Sequence, residues 1–343
     1  RSKQGNNEGN QRQLCRESTT GNKEGVLMKY LITGGLGFIG SKIIEKLSQK
    51  DNTICCVDNE DTYDIISETG LDKLIRWRTR NWKHENVQII KGDVLDRDVC
   101  LKAFSKRPDI VIHLATYPRA KLVDQDPIQG VPKVIGTTTN LLSHASQFGT
   151  KKFVYVSSSM VYGNFTDGTK EDSSTKPTNI YGEAKLTGER LTKLFAKRDG
   201  LNYIIVRPSG VFGPGDLPDR VVSKFFIKAL KGDAITLHNG ENKVDFTYRD
   251  DAANGIIKAA ESDIANTSFN ITAGNATSLR TLAETIIDIT GSKSEINDIG
   301  MQSLYPARGT LDISRAKDLL EYEPKTGFRE GLENYYVWAQ DNI

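Results

Sequence analysis

A tyrosine and a lysine four residues apart carry the clearest chemical signal in the sequence. Tyr181 and Lys185 open a predicted helix, so both side chains lie on one helical face. An ammonium group beside a phenol, near a cationic ring, favours the phenolate and lowers the pKa of the tyrosine. We therefore predict a tyrosine that takes a proton from a hydroxyl near neutral pH. The spacing is common by chance, and an ordinary pair on a helix surface is the alternative.

A run of serines supplies a third candidate for the same chemistry. Ser157, Ser158 and Ser159 directly follow a predicted strand at 153–156. A hydroxyl at a strand end, close to a basic tyrosine, can hydrogen-bond the oxygen that reacts. We assign this role to Ser158, which makes it the third predicted catalytic residue.

Three glycines at a spacing of three residues predict a site for a phosphate-bearing ligand. Gly34, Gly37 and Gly40 follow a short apolar strand at 29–33 and precede a segment at 41–47 with apolar residues at helical spacing. Side chains in such a turn would prevent close approach of a pyrophosphate, and the N-terminus of the helix offers free N–H groups. The turn alone is a weak signal and could be only a tight connection. Its place inside a βαβ unit makes it a predicted dinucleotide site.

An acidic residue at the end of the second predicted strand selects the type of dinucleotide. Asp58 lies 24 residues after Gly34 and ends the strand at 53–57. Its carboxylate can accept both hydroxyls of an adenosine ribose and would repel a phosphate on the 2′ oxygen. NAD is therefore the predicted cofactor rather than NADP, unless Asp58 is an ordinary acidic residue of a turn.

Two further strand ends fit the same ligand. Asp93 follows the third predicted strand and could bond the adenine amino group, while the segment 114–116 ends the fourth and leaves room for the diphosphate and ribose. Each could instead be plain packing at a strand end. The predicted cofactor-binding residues are Gly34, Gly37, Phe38, Ile39, Gly40, Asp58, Asn59, Asp93, Val94, Leu114, Ala115, Thr116, Tyr181, Lys185 and Pro208.

Short β-branched or aromatic runs alternate with helical stretches up to residue 206. This alternation predicts an α/β fold, a doubly wound parallel sheet of the Rossmann type covered by helices on both faces. Beyond the first βαβ unit, strands are predicted at 87–90, 110–114, 153–156 and 203–206, and helices at 133–147, 181–197, 278–290 and 314–321.

The sequence divides into three predicted parts. Residues 28–206 form the NAD-binding domain, and residues 207–343, richer in Gly, Pro and Asn, form a smaller interleaved substrate lobe with segments that return to the first domain. Residues 1–27 contain no apolar stretch for secretion, and their composition predicts disorder. We expect an appended leader with Met28 as the natural start, the alternative being a functional tail.

Composition and charge argue against several classes of partner. Lysine and arginine number 46 against 44 acidic residues, and the formal charge of +2 is carried entirely by residues 1–27. A nearly neutral chain argues against a nucleic-acid partner, and its apolar runs are far shorter than the ~20 residues of a membrane span. Four cysteines without CxxC spacing predict a reducing, cytoplasmic location, and four scattered histidines predict no metal site.

Together, these motifs resemble the extended short-chain dehydrogenase/reductases, and within them the NAD-dependent nucleotide-sugar epimerase/dehydratase family. The resemblance covers nearly all of 28–343. It is carried by TGGLGFIG (33–40), GDVLD (92–96), HLAT (113–116), VSSSMVYG (156–163), YGEAK (181–185), RPSGVFGPG (207–215), DFTYRDD (245–251) and LDISRAKDLLEYEPK (311–325).

The resemblance implies an enzyme that holds NAD through its cycle and acts on a nucleotide-diphosphate sugar. Tyr181 would take the proton from a sugar hydroxyl, commonly O4, as the carbon passes hydride to NAD. Lys185 would hold the nicotinamide ribose and tune the tyrosine. Ser158 is the third member, counted back from the segment 161–163.

The resemblance also implies a homodimer packed through the helices at 133–147 and 181–197. Outward-facing leucines are its expected contacts, although they could equally be ordinary core. These leucines are Leu141, Leu142, Leu191 and Leu194.

Several positions depart from the pattern of the family. Its dehydratases carry an acidic pair, or a glutamate, where this chain has Ser159 and Met160, so elimination of water by that route is not expected. Lys133, Gly210 and Val244 stand where Asn, Asn and Arg are usual. Because the last two positions commonly touch the sugar and diphosphate, other residues must bind the diphosphate here.

Two arginines are candidates for this role. Arg220 begins a predicted helix of the substrate lobe and Arg308 precedes its last segments, although either could be a solvated surface charge. The tryptophan-containing segment 74–82 could form part of a lid or a hydrophobic anchor, and Tyr117 and Arg119 lie where the sugar pocket of the family begins. The predicted substrate-binding residues are Thr116, Ser158, Ser159, Met160, Tyr181, Arg220 and Arg308.

Three hypotheses for the function follow. The first is an NAD-dependent epimerase of a nucleotide sugar, which interconverts sugars without net change in NADH. The second is a 4-ketoreductase or another oxidoreductase of a similar sugar, which consumes NAD(P)H. The third is a non-catalytic sensor that binds the dinucleotide, against which the intact set of Ser158, Tyr181 and Lys185 argues. Nothing in the sequence identifies the base or the stereocentre.

Overall fold

The computed structural model describes residues 27–62, 64–117, 120–300 and 306–342. Apart from Leu27, the predicted leader lies outside the described residues, and so does Arg119. The strands are β1 (Lys29–Thr33), β2 (Thr53–Asp58), β3 (Val87–Lys91), β4 (Ile110–His113), β5 (Lys152–Val156), β6 (Asn202–Pro208), β7 (Val211–Phe212), β8 (Ile235–Leu237), β9 (Lys243–Asp245), β10 (Thr247–Tyr248), β11 (Thr267–Ile271), β12 (Ala276–Ser278) and β13 (Ile296–Asp298). The α-helices are α1 (Phe38–Ser48), α2 (Glu68–Thr79), α3 (Arg97–Phe104), α4 (Ala120–Gln125), α5 (Pro127–Gln147), α6 (Ile180–Asp199), α7 (Val221–Lys231), α8 (Arg249–Glu261), α9 (Leu279–Thr290), α10 (Ser314–Leu320) and α11 (Phe328–Asn342).

Seven strands form one parallel sheet in the order β11-β6-β5-β4-β1-β2-β3. Successive residues of β1 point to opposite faces, as the two-residue period of a strand requires. Tyr30 and Ile32 belong to the core shared with α1 and α8, whereas Leu31 belongs to the core shared with α3 and α5. The predicted α/β fold, a doubly wound Rossmann-type sheet, is therefore confirmed. Its strand order reverses between β1 and β4, which opens a crevice at the carboxyl ends of these strands.

Helix α5 begins earlier than the sequence pattern suggested. The pattern predicted a start at residue 133, but the helix begins at Pro127. Asp126 caps it, because one carboxylate oxygen accepts a hydrogen bond from the backbone N–H of Gln129 at 3.1 Å. Pro127 is well suited to the first helical position, while Pro132 lies inside the helix and interrupts its sequence signal.

Part of the chain after residue 206 returns to the central sheet. Strand β11 pairs with β6, and Ile256 of α8 belongs to the core around β1. Helices α7, α9 and α11 build a second core, in which the ring of Phe226 stacks on that of Tyr335 with centroids 4.8 Å apart. The chain after residue 206 therefore contributes both to the central sheet and to a second core, and its division at 206–207 into an NAD-binding domain and an interleaved substrate lobe stays a prediction.

The leucines proposed for a dimer contact do not all face outward. Leu141 and Leu142 are fully buried in the core beside α3, and Leu191 packs against the same core, so the expectation that these three face outward is wrong. They are buried because α5 and α6 use this apolar stripe to cover the sheet. Leu194, also on α6, is 61% exposed.

The segment 74–82, which the sequence allowed to be a lid or a hydrophobic anchor, contacts both lobes. The indole N–H of the buried Trp82 donates to the carbonyl oxygen of Ser41 at 2.9 Å, which anchors the segment to the first domain. The ring of Trp77 meets the ring of Trp338 of α11 edge to face, with centroids 5.6 Å apart. Arg78 of the same segment is buried, and two of its nitrogens donate to the carbonyl oxygen of Gly215, at 3.0 and 2.8 Å.

No helix within the described residues combines the length and the apolar composition needed to cross a membrane.

We predict that Gly188→Ala destabilises the protein, because α6 approaches β5 at this glycine. A methyl group here would lie 2.2 Å from the hydroxyl oxygen of Tyr155, which is fully buried. Relieving this overlap is expected to cost about 1–3 kcal/mol of unfolding free energy, measured by urea denaturation. Gly70→Ala in α2 is the matched control, since its nearest contact would be the Ser67 hydroxyl at 3.2 Å, and it should leave stability unchanged or slightly raised. Equal effects of the two substitutions would contradict the close approach.

Candidate functional site

A cleft of about 740 Å³ opens at the carboxyl ends of the parallel strands. Its first wall is made by residues that follow β1, β2, β3 and β4, and its floor by residues at the ends of β5 and β6. The opposite wall comes from α7, β8 and β9. The reversal of strand order thus places this cavity where the predicted motifs converge.

The glycine turn after β1 leaves no room for side chains. Gly34 has a φ of +71°, and a Cβ on it would lie 2.9 Å from the backbone nitrogen of Ala115. A Cβ on Gly40 would lie 2.3 Å from the carbonyl oxygen of Gly34. Helix α1 then begins at Phe38 with no side-chain cap and no acidic residue in its first turn. The turn therefore presents backbone and a positive helix end to the cleft, a geometry suited to a diphosphate.

Asp58 is fixed against this turn. One of its carboxylate oxygens accepts the backbone N–H of Leu36 at 2.9 Å, and the other accepts that of Glu60 at 2.8 Å. Burial raises the pKa of Asp58, and these two N–H donors act in the opposite direction. The carboxylate thus lies beside the glycine turn, at the position where the hydroxyls of an adenosine ribose would bind.

The remaining predicted cofactor residues lie along the same wall. The side-chain amide of Asn59 donates to a carboxylate oxygen of Asp93 at 3.3 Å, which joins the ends of β2 and β3. The backbone N–H of Ala115 donates to the hydroxyl oxygen of Thr33 at 3.2 Å, which joins the ends of β4 and β1. All fifteen residues predicted to bind the cofactor line the cleft, namely Gly34, Gly37, Phe38, Ile39, Gly40, Asp58, Asn59, Asp93, Val94, Leu114, Ala115, Thr116, Tyr181, Lys185 and Pro208.

The three predicted catalytic residues meet on the floor of the cleft. The ammonium nitrogen of Lys185 donates to the carbonyl oxygen of Val156 at 2.9 Å and lies 5.9 Å from the ring centroid of Tyr181. Ser158 and Tyr181 line the cleft beside it, and the Ser158 hydroxyl acts to lower the pKa of Tyr181. Helix α6 supplies Tyr181 and Lys185. Asn179 caps this helix and so fixes where it begins, because its side-chain oxygen accepts a hydrogen bond from the backbone N–H of Gly182 at 2.8 Å.

The expected lowering of the tyrosine pKa does not arise from the groups of the protein. Burial raises the pKa of Tyr181 to about 12, although Arg220 and the hydrogen bond with Ser158 oppose this. Burial also lowers the pKa of Lys185 to about 7, while Glu189 opposes that shift. The sequence prediction also counted on a cationic ring beside the tyrosine, so a lowered pKa of Tyr181 stays a prediction for the protein with its cofactor bound.

A buried ion pair lies directly behind these residues. Two nitrogens of Arg207 donate to the two carboxylate oxygens of Glu189, at 2.9 and 2.7 Å, and both residues are buried. The hydroxyl of Ser157 also donates to Glu189, at 2.6 Å, and a third nitrogen of Arg207 donates to the hydroxyl oxygen of Tyr162 at 2.9 Å. The pair ties α6 to the ends of β5 and β6.

Of the residues predicted to bind the substrate, Ser159 does not reach the cleft. It is buried and does not line the cleft, because it opens the 3-10 turn Ser159–Tyr162 that Ser158 caps. Met160 of the same turn does line the cleft, as do Thr116, Ser158 and Tyr181. The turn therefore presents a thioether to the cleft at the place where an acid would be needed for dehydration.

The opposite wall carries cations at the predicted positions. Arg220 stands at the N-terminus of α7, its Nε 3.9 Å from a carboxylate oxygen of Asp216, and Arg308 lines the same wall. Gly210 and Val244, which replace the usual Asn and Arg, are packed together. A Cβ on Gly210, whose φ is +46°, would lie 2.5 Å from a methyl carbon of Val244.

Sequence reasoning missed further residues of the cleft. Lys224 follows Arg220 by one helical turn and lines the cleft with it, a spacing that the sequence shows. Lys133 was noted only as a departure, yet it also lines the cleft, as do Asp61 and Thr62. Their place could not be read from the sequence, because it depends on how α5 lies over the end of β2.

We predict that Glu189→Gln destabilises the protein, because it leaves the buried Arg207 guanidinium without a full countercharge. A loss of about 3 kcal/mol of unfolding free energy is expected in urea denaturation. Asp233→Asn is the matched control, since it breaks an ion pair with Lys228 in which both side chains are 51% exposed. This control should lose less than about 1 kcal/mol, and a similar loss from both variants would show that the buried pair has no special role.

We also predict a pH dependence of stability that is due to Lys185. Its pKa in the folded protein is about 7 and lies below that of a lysine in an unfolded chain. Between these values the unfolded chain binds the proton and the folded protein does not, so the unfolding free energy rises with pH. From about pH 6.5 to 9, the wild type should gain roughly 2 kcal/mol more than Lys185→Met.

The measurement is urea unfolding of both proteins at each pH. Lys228→Met, at an exposed lysine, should follow the wild type. Parallel curves for the wild type and Lys185→Met would contradict the lowered pKa.

Comparison with known proteins places this cleft in a family. A family model described as the NAD dependent epimerase/dehydratase family matches residues 30–272. The UDP-glucuronate 4-epimerase of Thermodesulfobacterium geofontis is 30% identical over 92% of this chain and 97% of that protein. The dTDP-D-glucose 4,6-dehydratase of Dictyostelium discoideum is 30% identical over 92% of this chain and 82% of that protein.

A solved structure shares the whole fold. The UDP-glucuronic acid 4-epimerase from Bacillus cereus, solved in complex with UDP-glucuronic acid and NAD, is 28% identical with a TM-score of 0.84. The match covers 92% of this chain and 100% of that one. The chain belongs to the NAD-dependent epimerase/dehydratase family of nucleotide-sugar enzymes, and NAD is its cofactor.

Proposed function

We propose that this protein is an epimerase of a nucleotide-diphosphate sugar, acting by transient oxidation, with C4 as the proposed carbon. The observation that carries the proposal is the meeting of Ser158, Tyr181 and Lys185 on the floor of a cleft whose adjacent wall is the glycine turn. A hydroxyl, a phenol and an ammonium group at one place form a set suited to moving a proton to and from a sugar oxygen.

Each of the three residues has a distinct part in this chemistry. Tyr181 accepts the proton of the sugar hydroxyl and returns it at the end of the cycle. Ser158, which lines the cleft with Tyr181, holds the same oxygen in line. Lys185, bonded to the carbonyl oxygen of Val156, supplies positive charge that stabilises the phenolate. The bound NAD supplies the hydride acceptor and donor, and its positive charge adds to that of the lysine.

The proposed cofactor residues divide by the part of NAD that they would hold. Gly34, Gly37 and Gly40 would carry the diphosphate at the N-terminus of α1, because no Cβ blocks the backbone. Asp58 would accept the adenosine ribose hydroxyls, and Asp93 would meet the adenine.

The proposed substrate residues lie across the cleft from the glycine turn. Arg220 and Arg308, with Lys224 on the same helix as Arg220, would meet the diphosphate of the substrate. Electrostatic attraction by these cations replaces the usual Asn and Arg, whose positions hold Gly210 and Val244. Thr116 and Met160 would line the sugar.

The structure of the turn after β5 favours epimerisation over dehydration. Elimination of water needs an acid next to Ser158, but Ser159 is buried and Met160 carries no proton to give. A 4-ketoreductase that uses the same three residues is the second candidate, because nothing in their geometry separates a reaction that returns the hydride from one that consumes it.

We further propose that the enzyme is a cytoplasmic homodimer. Support for the dimer comes from Leu194, exposed on α6, and Ile128, which is 85% exposed on α5. Support for a reducing compartment comes from Cys55, Cys56 and Cys100, which are buried free thiols.

The experiment that tests the function is incubation with UDP-, GDP-, CDP- and dTDP-sugars, followed by NMR of the products. We expect one epimer to form from another without net change in NADH absorbance. Tyr181→Phe should lower the rate by at least about 100-fold, because the proton acceptor is lost. Tyr336→Phe, at a tyrosine of α11 outside the cleft, is the matched control and should retain activity.

Two outcomes would contradict the proposal. Full activity of Tyr181→Phe would remove the tyrosine from its role. Conversion that proceeds only with stoichiometric consumption of NADH would make the protein a reductase.

A further inference from the structure

An ion pair connects two segments that line the same cleft as the glycine turn. The ammonium nitrogen of Lys133 on α5 lies 3.4 Å from a carboxylate oxygen of Asp61, which follows β2. The same nitrogen lies 5.3 Å from the ring centroid of Tyr117, which follows β4 and is buried. Lys133 is therefore held by a carboxylate and an aromatic ring, and both Lys133 and Asp61 line the cleft.

The order of the strands determines what this pair spans. In the sheet, β1 lies between β4 and β2. Asp61 comes directly after β2, and α5 comes after β4, so a contact between them crosses the carboxyl end of β1. The Gly34–Gly40 turn begins at that end. The ion pair therefore lies at the carboxyl edge of the sheet where this turn begins, and both of its residues line the same cleft as the turn.

We propose that Lys133 and Asp61 form a strap that closes over the diphosphate of NAD and governs how fast the cofactor leaves. This inference rests on the cofactor site described under the proposed function, and it adds two residues that no part of that proposal uses. Lys133 is the binding residue of the strap, and Asp61 is the residue that positions it.

The chemistry of the two groups fits this role. An ammonium group carries three N–H donors, so Lys133 can bond a phosphate oxygen while it keeps its contact with Asp61. The N-terminus of α1 would offer a partial positive charge to the diphosphate, and Lys133 would add a full positive charge. The side chains of Lys133 and Asp61 are only 24% and 37% exposed, so water screens this charge less than at an open surface.

The alternative is an ion pair that only adds stability. The chain offers a matched control for it, because Lys151 and Asp109 form an ion pair of 2.8 Å directly before β5 and β4, at the amino edge of the same sheet. That pair lies at the opposite end of the strands from the cleft, and neither of its residues lines the cleft.

The test measures the exchange of bound cofactor rather than catalysis. The holoenzyme is mixed with excess NADH, and the growth of protein-to-NADH fluorescence energy transfer gives the rate at which NAD leaves. We expect Lys133→Gln and Asp61→Asn each to raise this rate, Lys133→Gln by about tenfold, which corresponds to about 1.4 kcal/mol. Lys151→Gln and Asp109→Asn should leave the rate at that of the wild type. High salt should raise the wild-type rate and change that of Lys133→Gln less.

Failure of the strap and failure of the proposed function give different results. If Lys133→Gln releases NAD no faster than Lys151→Gln, the strap is overturned even where the sugar panel shows epimerisation. If only Lys133→Gln releases NAD faster, Asp61 does not position the lysine and the strap is equally overturned. If the wild type converts no sugar but its NAD exchange responds to both strap variants, the strap stands and the epimerase proposal falls.

Discussion

The ion pair between Arg207 and Glu189 is the interaction on which the rest of the site depends. Two charges buried in the core are tolerated only when their hydrogen bonds are complete, and here Ser157 and Tyr162 complete them. Glu189 lies one turn beyond Lys185 on α6, and Arg207 lies on β6, so the pair fixes the rotation of the helix against the sheet. Tyr181 and Lys185 are placed over the end of β5 as a consequence. The same burial that makes this scaffold rigid also raises the pKa of Tyr181 and lowers that of Lys185.

Positive charge in the cleft is local rather than global. The chain beyond residue 27 is formally neutral, yet its cofactor carries negative charge. The N-terminus of α1 contributes a partial charge without any basic side chain, Lys133 is brought in from α5, and Arg220 and Lys224 come from α7. Since these cations lie on separate elements, each can act on a different part of the ligands. Specific placement therefore replaces net charge as the source of affinity.

The departures from the family pattern are consistent with each other in the folded protein. Gly210 and Val244 are in contact, so neither position can take its usual polar residue without a shift of the other or of β9. In the proposed function, the diphosphate-binding role is therefore assigned to cations elsewhere on the same wall. Likewise, Ser159 turns into the protein while Met160 meets the cleft, so the turn after β5 holds the hydroxyl of Ser158 without an accompanying acid.

The sequence alone predicted six of the seven strands of the sheet, the glycine turn, Asp58 and the three catalytic candidates, because these depend on periodicity and on short motifs within single elements, but it did not predict β11. It did not determine the early start of α5, where a cap and a proline override the pattern, or the burial of Leu141 and Leu142. It also did not show that Tyr181 and Lys185 are desolvated, because desolvation depends on everything packed around a group. The contact of Lys133 with Asp61 depends on the tertiary fold, since the two residues are 72 positions apart in the chain and are brought together by the order of the strands.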